Sequence, residues 1–278
     1  MARECKIYPK KKIQELEEAA KEIRRLIIKM LAKAGSGHPG GSLSSTDLIT
    51  CLYYAMLRHD PKNPHWPDRD RFHLSKGHCS PLLYAILANR GFFPMKELGS
   101  LRQLGSMLQG HPDRRTPGIN AASGSLGQGL SVALGMALAG RLDKKDYRVY
   151  CLMGDGEIQE GNIWEAAMAA SHYRCDNLCA ILDYNRYQID GKVDDIMNLE
   201  PITDKWKAFG WYTLEIDGHD MTQILDAYEQ VQCIHEKPSI IIAHTVKGKG
   251  VSFMENVVDF HGRAPSKEEE IQALKELQ

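Results

Sequence analysis

Arg148-Val149-Tyr150-Cys151-Leu152-Met153-Gly154-Asp155-Gly156 and, further on, Leu178-Cys179-Ala180-Ile181-Leu182-Asp183-Tyr184-Asn185-Arg186-Tyr187-Gln188-Ile189 decide the fold. Each opens with a short apolar run that ends at glycine, aspartate or asparagine, the pattern of a strand buried on both faces. Residues 161–173 between them read as a helix, and the pattern repeats downstream with runs at 212–216 and 239–243 around a helical stretch at 222–231. Strands alternating with helices predict right-handed βαβ units, hence an α/β fold with a parallel sheet flanked by helices. Upstream, Ile13, Leu16, Ala20, Ile23, Ile27 and Met30 form the apolar stripe of a helix over 11–34. Further helices are predicted at 46–57, 80–89 and 126–142, with a short strand near 72–75. Ser266 and Glu269 form a capping box for a last helix. With no internal repeat, low-complexity block or linker, residues 1–278 read as one domain.

Composition narrows the function. Lys plus Arg total 35 against 36 Asp plus Glu, a formal net charge of −1, so no basic field draws the chain to nucleic acid or anionic membrane. The hydrophobic fraction of 43% and charged fraction of 26% are those of a soluble globular protein. Seven cysteines without a CxxC pair suggest a reducing compartment, and no apolar h-region or 18-residue apolar run is present, so the chain reads as cytoplasmic. Cys175 and Cys179 read as core residues rather than zinc ligands.

In a parallel sheet, ligands bind beyond the carboxyl ends of the strands. Asp155, between two glycines, and Asn185 stand there on successive strands. A carboxylate and an amide oxygen are hard ligands suited to Mg²⁺ or Ca²⁺, and Mg²⁺ favours a phosphate partner. A plain turn after a strand explains Gly-Asp-Gly equally well on its own. His38, His78 and His111 each follow a glycine and His261 precedes one, which suggests imidazoles gathered at a shared cleft. His59, His65, His73, His172, His219, His235 and His244 read as structural. Ser123-Gly124-Ser125-Leu126-Gly127-Gln128-Gly129 precedes a helix, so its backbone N–H groups could cradle an anion, or its small residues could serve close packing.

Ser-Gly-His-Pro-Gly-Gly (36–41), Leu-Ser-Lys-Gly-His (74–78), Gly-Ser-Leu-Gly-Gln-Gly (124–129), Gly-Asp-Gly-Glu-Ile-Gln-Glu-Gly (154–161) and Asp-Tyr-Asn-Arg-Tyr-Gln-Ile-Asp-Gly (183–191) occur in this order. In this respect the chain resembles the N-terminal, diphosphate-binding half of the thiamine-diphosphate-dependent transketolases, in their short, two-chain form. The resemblance implies that Asp155, Asn185 and the Tyr187 carbonyl hold Mg²⁺, with Ca²⁺ or Mn²⁺ as substitutes, against the cofactor's diphosphate. It implies that Gly156, His78 and His261 line the cofactor, that Gly124, Ser125 and Leu126 pack on its rings, that Ile189 adds an apolar contact and that Lys247 lies near. His38, His111 and His261 would face the sugar. Glu160 and Glu165 would approach a subunit interface, with Glu160 also near the cofactor. Ser125, Tyr184 and Lys76 depart from the pattern of the long transketolases without removing a functional group.

The implied activity is transfer of a two-carbon ketol unit from a ketose phosphate to an aldose phosphate. The family's pyrimidine-binding half and C-terminal domain have no counterpart in these 278 residues. The resemblance therefore implies a C-terminal partner subunit supplying the activating glutamate and the pyrimidine pocket, in an α₂β₂ heterotetramer. The alternatives are a 1-deoxyxylulose-5-phosphate synthase-like chain, the α chain of a 2-oxo acid dehydrogenase and a non-catalytic thiamine-diphosphate-binding protein. The Gly-His loops favour transketolase.

Overall fold

The computed structural model describes residues 8–278, so Cys5 lies outside the described part. Its strands are β1 (Arg71–Leu74), β2 (Val149–Gly154), β3 (Leu178–Tyr184), the two-residue pair β4 (Tyr187–Gln188) and β5 (Gly191–Lys192), then β6 (Tyr212–Asp217) and β7 (Ser239–His244). Five of them make one sheet in the order β1-β2-β3-β7-β6, with every neighbour parallel. The helices are α1 (Lys10–Ala34), α2 (Pro39–Ser44), α3 (Thr46–Cys51), α4 (Ser80–Asn89), α5 (Gly129–Leu142), α6 (Gly161–His172), α7 (Val193–Ile196), α8 (Ile202–Ala208), α9 (Met221–Gln232) and α10 (Lys267–Glu276).

The central strands are continuously apolar because both faces are covered. Tyr150, Leu152, Cys179 and Ile181 point into one core with α1, α3, α4 and α9, while Val149, Cys151, Met153, Leu178, Ala180 and Leu182 point into another with α5 and α6. Successive side chains on a strand face opposite sides, so one sequence run serves two cores. Cys175 and Cys179 are both fully buried, in keeping with a packing role. Gly35 ends α1 in the left-handed conformation (φ 61°), where its N–H caps the Leu31 carbonyl. The capping box at Ser266 and Glu269 is present at the start of α10.

Two predicted helices are corrected. The stretch 46–57 is α3 followed by a π-helical turn, Leu52–Met56, and is preceded by α2, which the sequence reading lacked. Pro39 sits in the first turn of α2, where its missing N–H is harmless, so the two glycines behind it did not prevent a helix. The helix placed at 126–142 starts only at Gly129, because Gly127 has φ 84° and cannot belong to a right-handed helix.

His73 on β1 is 2% exposed. Burial lowers its pKa to about 4. The unfolded chain takes up this proton near pH 6.5 and the folded chain does not, so stability is complete above 6.5 and falls as pH drops toward 4. The loss is on the order of 2 kcal/mol at pH 5. His73→Gln is therefore expected to narrow the gap between urea midpoints measured at pH 7 and pH 5, and an unchanged gap would refute the assignment. Among the described residues no helix is long and apolar enough to cross a membrane.

Candidate active site

The parallel register sets Gly154 beside Asp183 and Asp183 beside Ala243, so the segments after β2, β3 and β7 emerge together. Asp155 follows β2 and is 2% exposed. Its carboxylate accepts from the Gly156 N–H at 2.8 Å and from the Arg186 N–H. Arg186 reaches it by adopting φ 69°, a costly conformation for a side chain of this kind and one that concentrates at functional sites. Burial, and then the charge of Asp183, raise the Asp155 pKa to about 7.

Asn185 is held from both sides. Its Nδ2 donates to Asp183 Oδ2 at 2.9 Å and its Oδ1 accepts from the Tyr187 N–H at 3.1 Å. A carboxylate can only accept and a backbone N–H can only donate, so the orientation of the amide is determined. The Tyr187 carbonyl accepts from Lys247 Nζ at 3.0 Å, which occupies one of its two lone pairs. Among the described residues no three His, Cys, Asp or Glu side chains group as a metal cage. One carboxylate, one amide oxygen and one carbonyl form instead a sparse oxygen set, which suits a cation that keeps water and phosphate ligands.

Three of the four histidines singled out for their glycine neighbours converge. The ring centroid distances are 5.1 Å for His38–His78, 5.3 Å for His78–His261 and 5.7 Å for His38–His261. His111 stands aside, exposed, with its ring against Gly124, where a Cβ would lie 3.6 Å from a ring carbon. Burial and neighbouring cations keep the imidazoles neutral: His38 falls to about 4 and His261 to about 3. Burial, Lys76 and the other two rings hold His78 well below the usual imidazole range. Lys247, 2% exposed, donates to His261 Nδ1 at 2.8 Å, and burial lowers its own pKa to about 8. An open cleft of about 680 Å³ is bordered by Ser36, His38, Ile189, His261 and Arg263.

Of the two readings left open for the glycine-rich loop, Gly127 and Gly129 fit close packing: a Cβ on Gly129 would collide with that of Ser75. Gly127 N–H is already bound by Glu157 Oε1 at 3.1 Å, so it is not free to cradle an anion. Glu157, buried, also accepts from Ser75 Oγ and from Gly154 N–H at 3.1 Å, tying the ends of β1 and β2 to this loop. A Cβ on Gly127 would stand 2.6 Å from that of Glu160. Gly124, Ser125 and Leu126 are exposed, as are Glu160, Glu165 and Ile189, the last at 63%. Gly156 is half-buried, with Gln188 against its Cα.

Sequence reasoning missed Glu157, and it took Lys76 for a mere departure. Lys76 Nζ reaches Asp183 Oδ2 at 2.5 Å, Ser45 Oγ at 2.7 Å and the Gly41 carbonyl at 3.0 Å. The buried cations Lys76 and Lys247 thus flank Asp155 and Asp183, and the N–H and imidazole groups around them are neutral. Such a floor favours an anion above it. Orphaned polar atoms fit the same reading: among the described residues His38 Nδ1 and Ser123 Oγ are buried without a hydrogen-bond partner.

Residues 16–278 match the family model "Transketolase, thiamine diphosphate binding domain". The chain is 48% identical over 265 residues to the 6-deoxy-6-sulfo-D-fructose transketolase subunit SqwG of Clostridium sp. (strain MSTE9), covering 95% of this chain and 96% of that one. It is 43% identical to one of the subunits of apulose-4-phosphate transketolase from Phocaeicola vulgatus, covering 95% and 94%. The crystal structure of transketolase from Campylobacter jejuni superposes with a TM-score of 0.91 at 38% identity, over 95% of this chain and 43% of that chain. The chain thus spans less than half of the solved transketolase, but nearly all of the two named subunits.

Proposed function

This chain belongs to the transketolase family, and on that premise we propose that it is the diphosphate-binding subunit of a two-chain enzyme that transfers a two-carbon ketol unit between sugar phosphates. The observation that carries the reading is the meeting of Asp155 and the Asn185–Tyr187 turn at the ends of adjacent parallel strands, joined through Lys247 to the His38, His78 and His261 cluster. Asp155, Asn185 Oδ1 and the Tyr187 carbonyl would hold Mg²⁺ and, through it, the diphosphate. Lys247, His78 and Gly156 would face the same anion. When bound, thiamine diphosphate supplies the electron sink that C–C cleavage requires.

The chain's own contribution is binding, orientation and proton handling. Neutral imidazoles at His38 and His261 both donate and accept hydrogen bonds, so they suit sugar hydroxyls and a carbonyl whose oxygen gains charge. His111, at the rim, would meet the distal part of the sugar. The exposed Leu126 and Ile189 would be covered by the cofactor rings and the partner, and the exposed Glu160 and Glu165 by a subunit interface. A C-terminal partner would bring the activating glutamate and the pyrimidine pocket, and an α₂β₂ heterotetramer closes the assembly with the simplest symmetry. Six described cysteines are free and five of these are buried, which supports a reducing, cytoplasmic setting. The two subunit relatives carry ketose names with a distal sulfonate or phosphate, which supports an anionic sugar as substrate.

The test is ketol transfer from xylulose 5-phosphate to ribose 5-phosphate with Mg²⁺ and thiamine diphosphate, using 6-deoxy-6-sulfo-D-fructose and apulose 4-phosphate as further donors. The chain alone is expected to give no turnover above background, and the chain mixed with a separately expressed pyrimidine-half subunit to turn over at least one donor. Turnover by the chain alone would overturn the two-subunit reading.

A further inference from the structure

Lys247 sits in a loop whose backbone is tied down on every side. Val246 N–H donates to His219 Nε2 at 2.8 Å, Gly248 N–H to the Gly40 carbonyl at 3.0 Å, Asn256 N–H to the Lys247 carbonyl at 2.8 Å, and Arg24 Nε to the Lys249 carbonyl at 3.1 Å. The Lys247 stem lies on Gly40, where a Cβ would come within 3.1 Å of it. Two of the four ties share one buried anchor. Asp47 takes both terminal guanidinium nitrogens of Arg24, at 2.9 and 2.7 Å, and His219 Nδ1 at 2.7 Å. Because the Val246 N–H must donate, Nε2 of His219 is the bare nitrogen and Nδ1 carries the proton toward Asp47, so the tautomer follows from the network. Arg24, Asp47 and His219 are all nearly sealed, with side chains 8%, 6% and 12% exposed. None of them touches the cleft, which leaves their arrangement without a role in binding itself.

We propose that Arg24, Asp47 and His219 are positioning residues that clamp the Val246–Lys249 loop on both sides of Lys247 and so aim its ammonium at the Tyr187 carbonyl, His261 and a bound diphosphate. The clamp rests on the functional reading above, because it acts on the group that would meet the cofactor. It joins three parts of the chain, α1, α3 and the turn after β6, to the loop after β7. Other positioning residues of this kind typically change ligand affinity 10–100-fold when altered.

His219 offers a paired test, because its two nitrogens do different jobs. His219→Gln places an amide oxygen near the position of Nε2 and keeps an acceptor for Val246, whereas His219→Asn mimics Nδ1, keeping the Asp47 partner and losing the loop acceptor. Both should be compared with the parent chain in complex with its partner subunit, by titration with thiamine diphosphate and Mg²⁺, by amide hydrogen exchange of residues 246–250, and by urea unfolding. The clamp predicts roughly tenfold or more weaker cofactor binding with faster loop exchange in His219→Asn, and recovery of most of both in His219→Gln. Equal cofactor affinity in all three proteins, or equal loss in both variants tracking their urea midpoints, would overturn it. Failure of the parent complex to bind the cofactor would overturn the functional reading itself and the clamp with it.

Discussion

Replacing Asp155 with Ala is expected to lower ketol transfer by the two-subunit complex roughly a thousandfold, about 4 kcal/mol of lost stabilisation, with little change in the stability of the cofactor-free chain. The reason lies in what the carboxylate does without a cation. Asp155 is buried beside a second aspartate, and burial raises its pKa to about 7, so the fold holds this charge at a cost. It accepts only two backbone N–H groups, from Gly156 and Arg186, each worth about 1 kcal/mol net. Removing the side chain forfeits those bonds, about 2 kcal/mol, but relieves a charge whose raised pKa opposes folding at neutral pH, so the cofactor-free chain should not lose stability. A divalent ion reverses that balance, because it converts a costly isolated charge into a ligand. Activity and Mg²⁺ affinity should therefore collapse while the urea midpoint hardly moves. Activity within tenfold of the parent would show that Asp155 is not the metal ligand.

How far the sequence disclosed this arrangement depended on the range of the interactions. The central strands were legible because a strand covered on both faces writes itself as a local apolar run, as at Leu178 to Leu182. Asp155 and Asn185 were legible because strand ends in a parallel sheet share one edge, so two local motifs predict a common place. The partners that orient them were not. Lys76 is 107 positions from Asp183, and Glu157 is 82 from Ser75, separations at which nothing in a local pattern marks the contact.

His219 is the instructive case. It follows Gly218, the same context that singled out His38, His78 and His111, and the sequence reading nevertheless set it aside. The structure gives it a definite tautomer and two partners beneath the Lys247 loop. A Gly-His pair after a strand marks a turn near the sheet's carboxyl edge, but it does not say whether the ring faces the cleft or the support under it. His111 makes the complementary case, because its loop context was sound and yet its ring lies on Gly124, apart from the other three.

The largest stability effect is expected at Lys76. Its ammonium has three donors and the structure gives it three acceptors, Asp183, Ser45 Oγ and the Gly41 carbonyl. Asp183 in turn collects Ser44 Oγ at 2.6 Å, Thr245 Oγ1 and Asn185 Nδ2. Burial is the largest single influence on both groups and opposes both charges, yet their partners together outweigh it: Lys76 is raised, with Asp183 the chief contributor, and Asp183 is lowered by Lys76 with help from the Ser44 and Thr245 hydroxyls. The side chains are 3% and 0% exposed, so water cannot take over when one is removed. Lys76→Met strands the Asp183 charge and should cost about 3–5 kcal/mol, lowering Tm by roughly 10 °C for a chain of this size. Asp183→Asn strands the ammonium and should cost a similar amount, while the double variant carries no buried charge and should lose less than the sum by about 2 kcal/mol or more. Asp183→Asn should also loosen the Asn185 amide and weaken Mg²⁺ binding, because an amide that accepts less strongly no longer fixes Oδ1. Additive costs in the double-mutant cycle would mean that the two side chains act independently. The pair would then be a packing contact rather than the electrostatic support of the edge proposed to hold the metal.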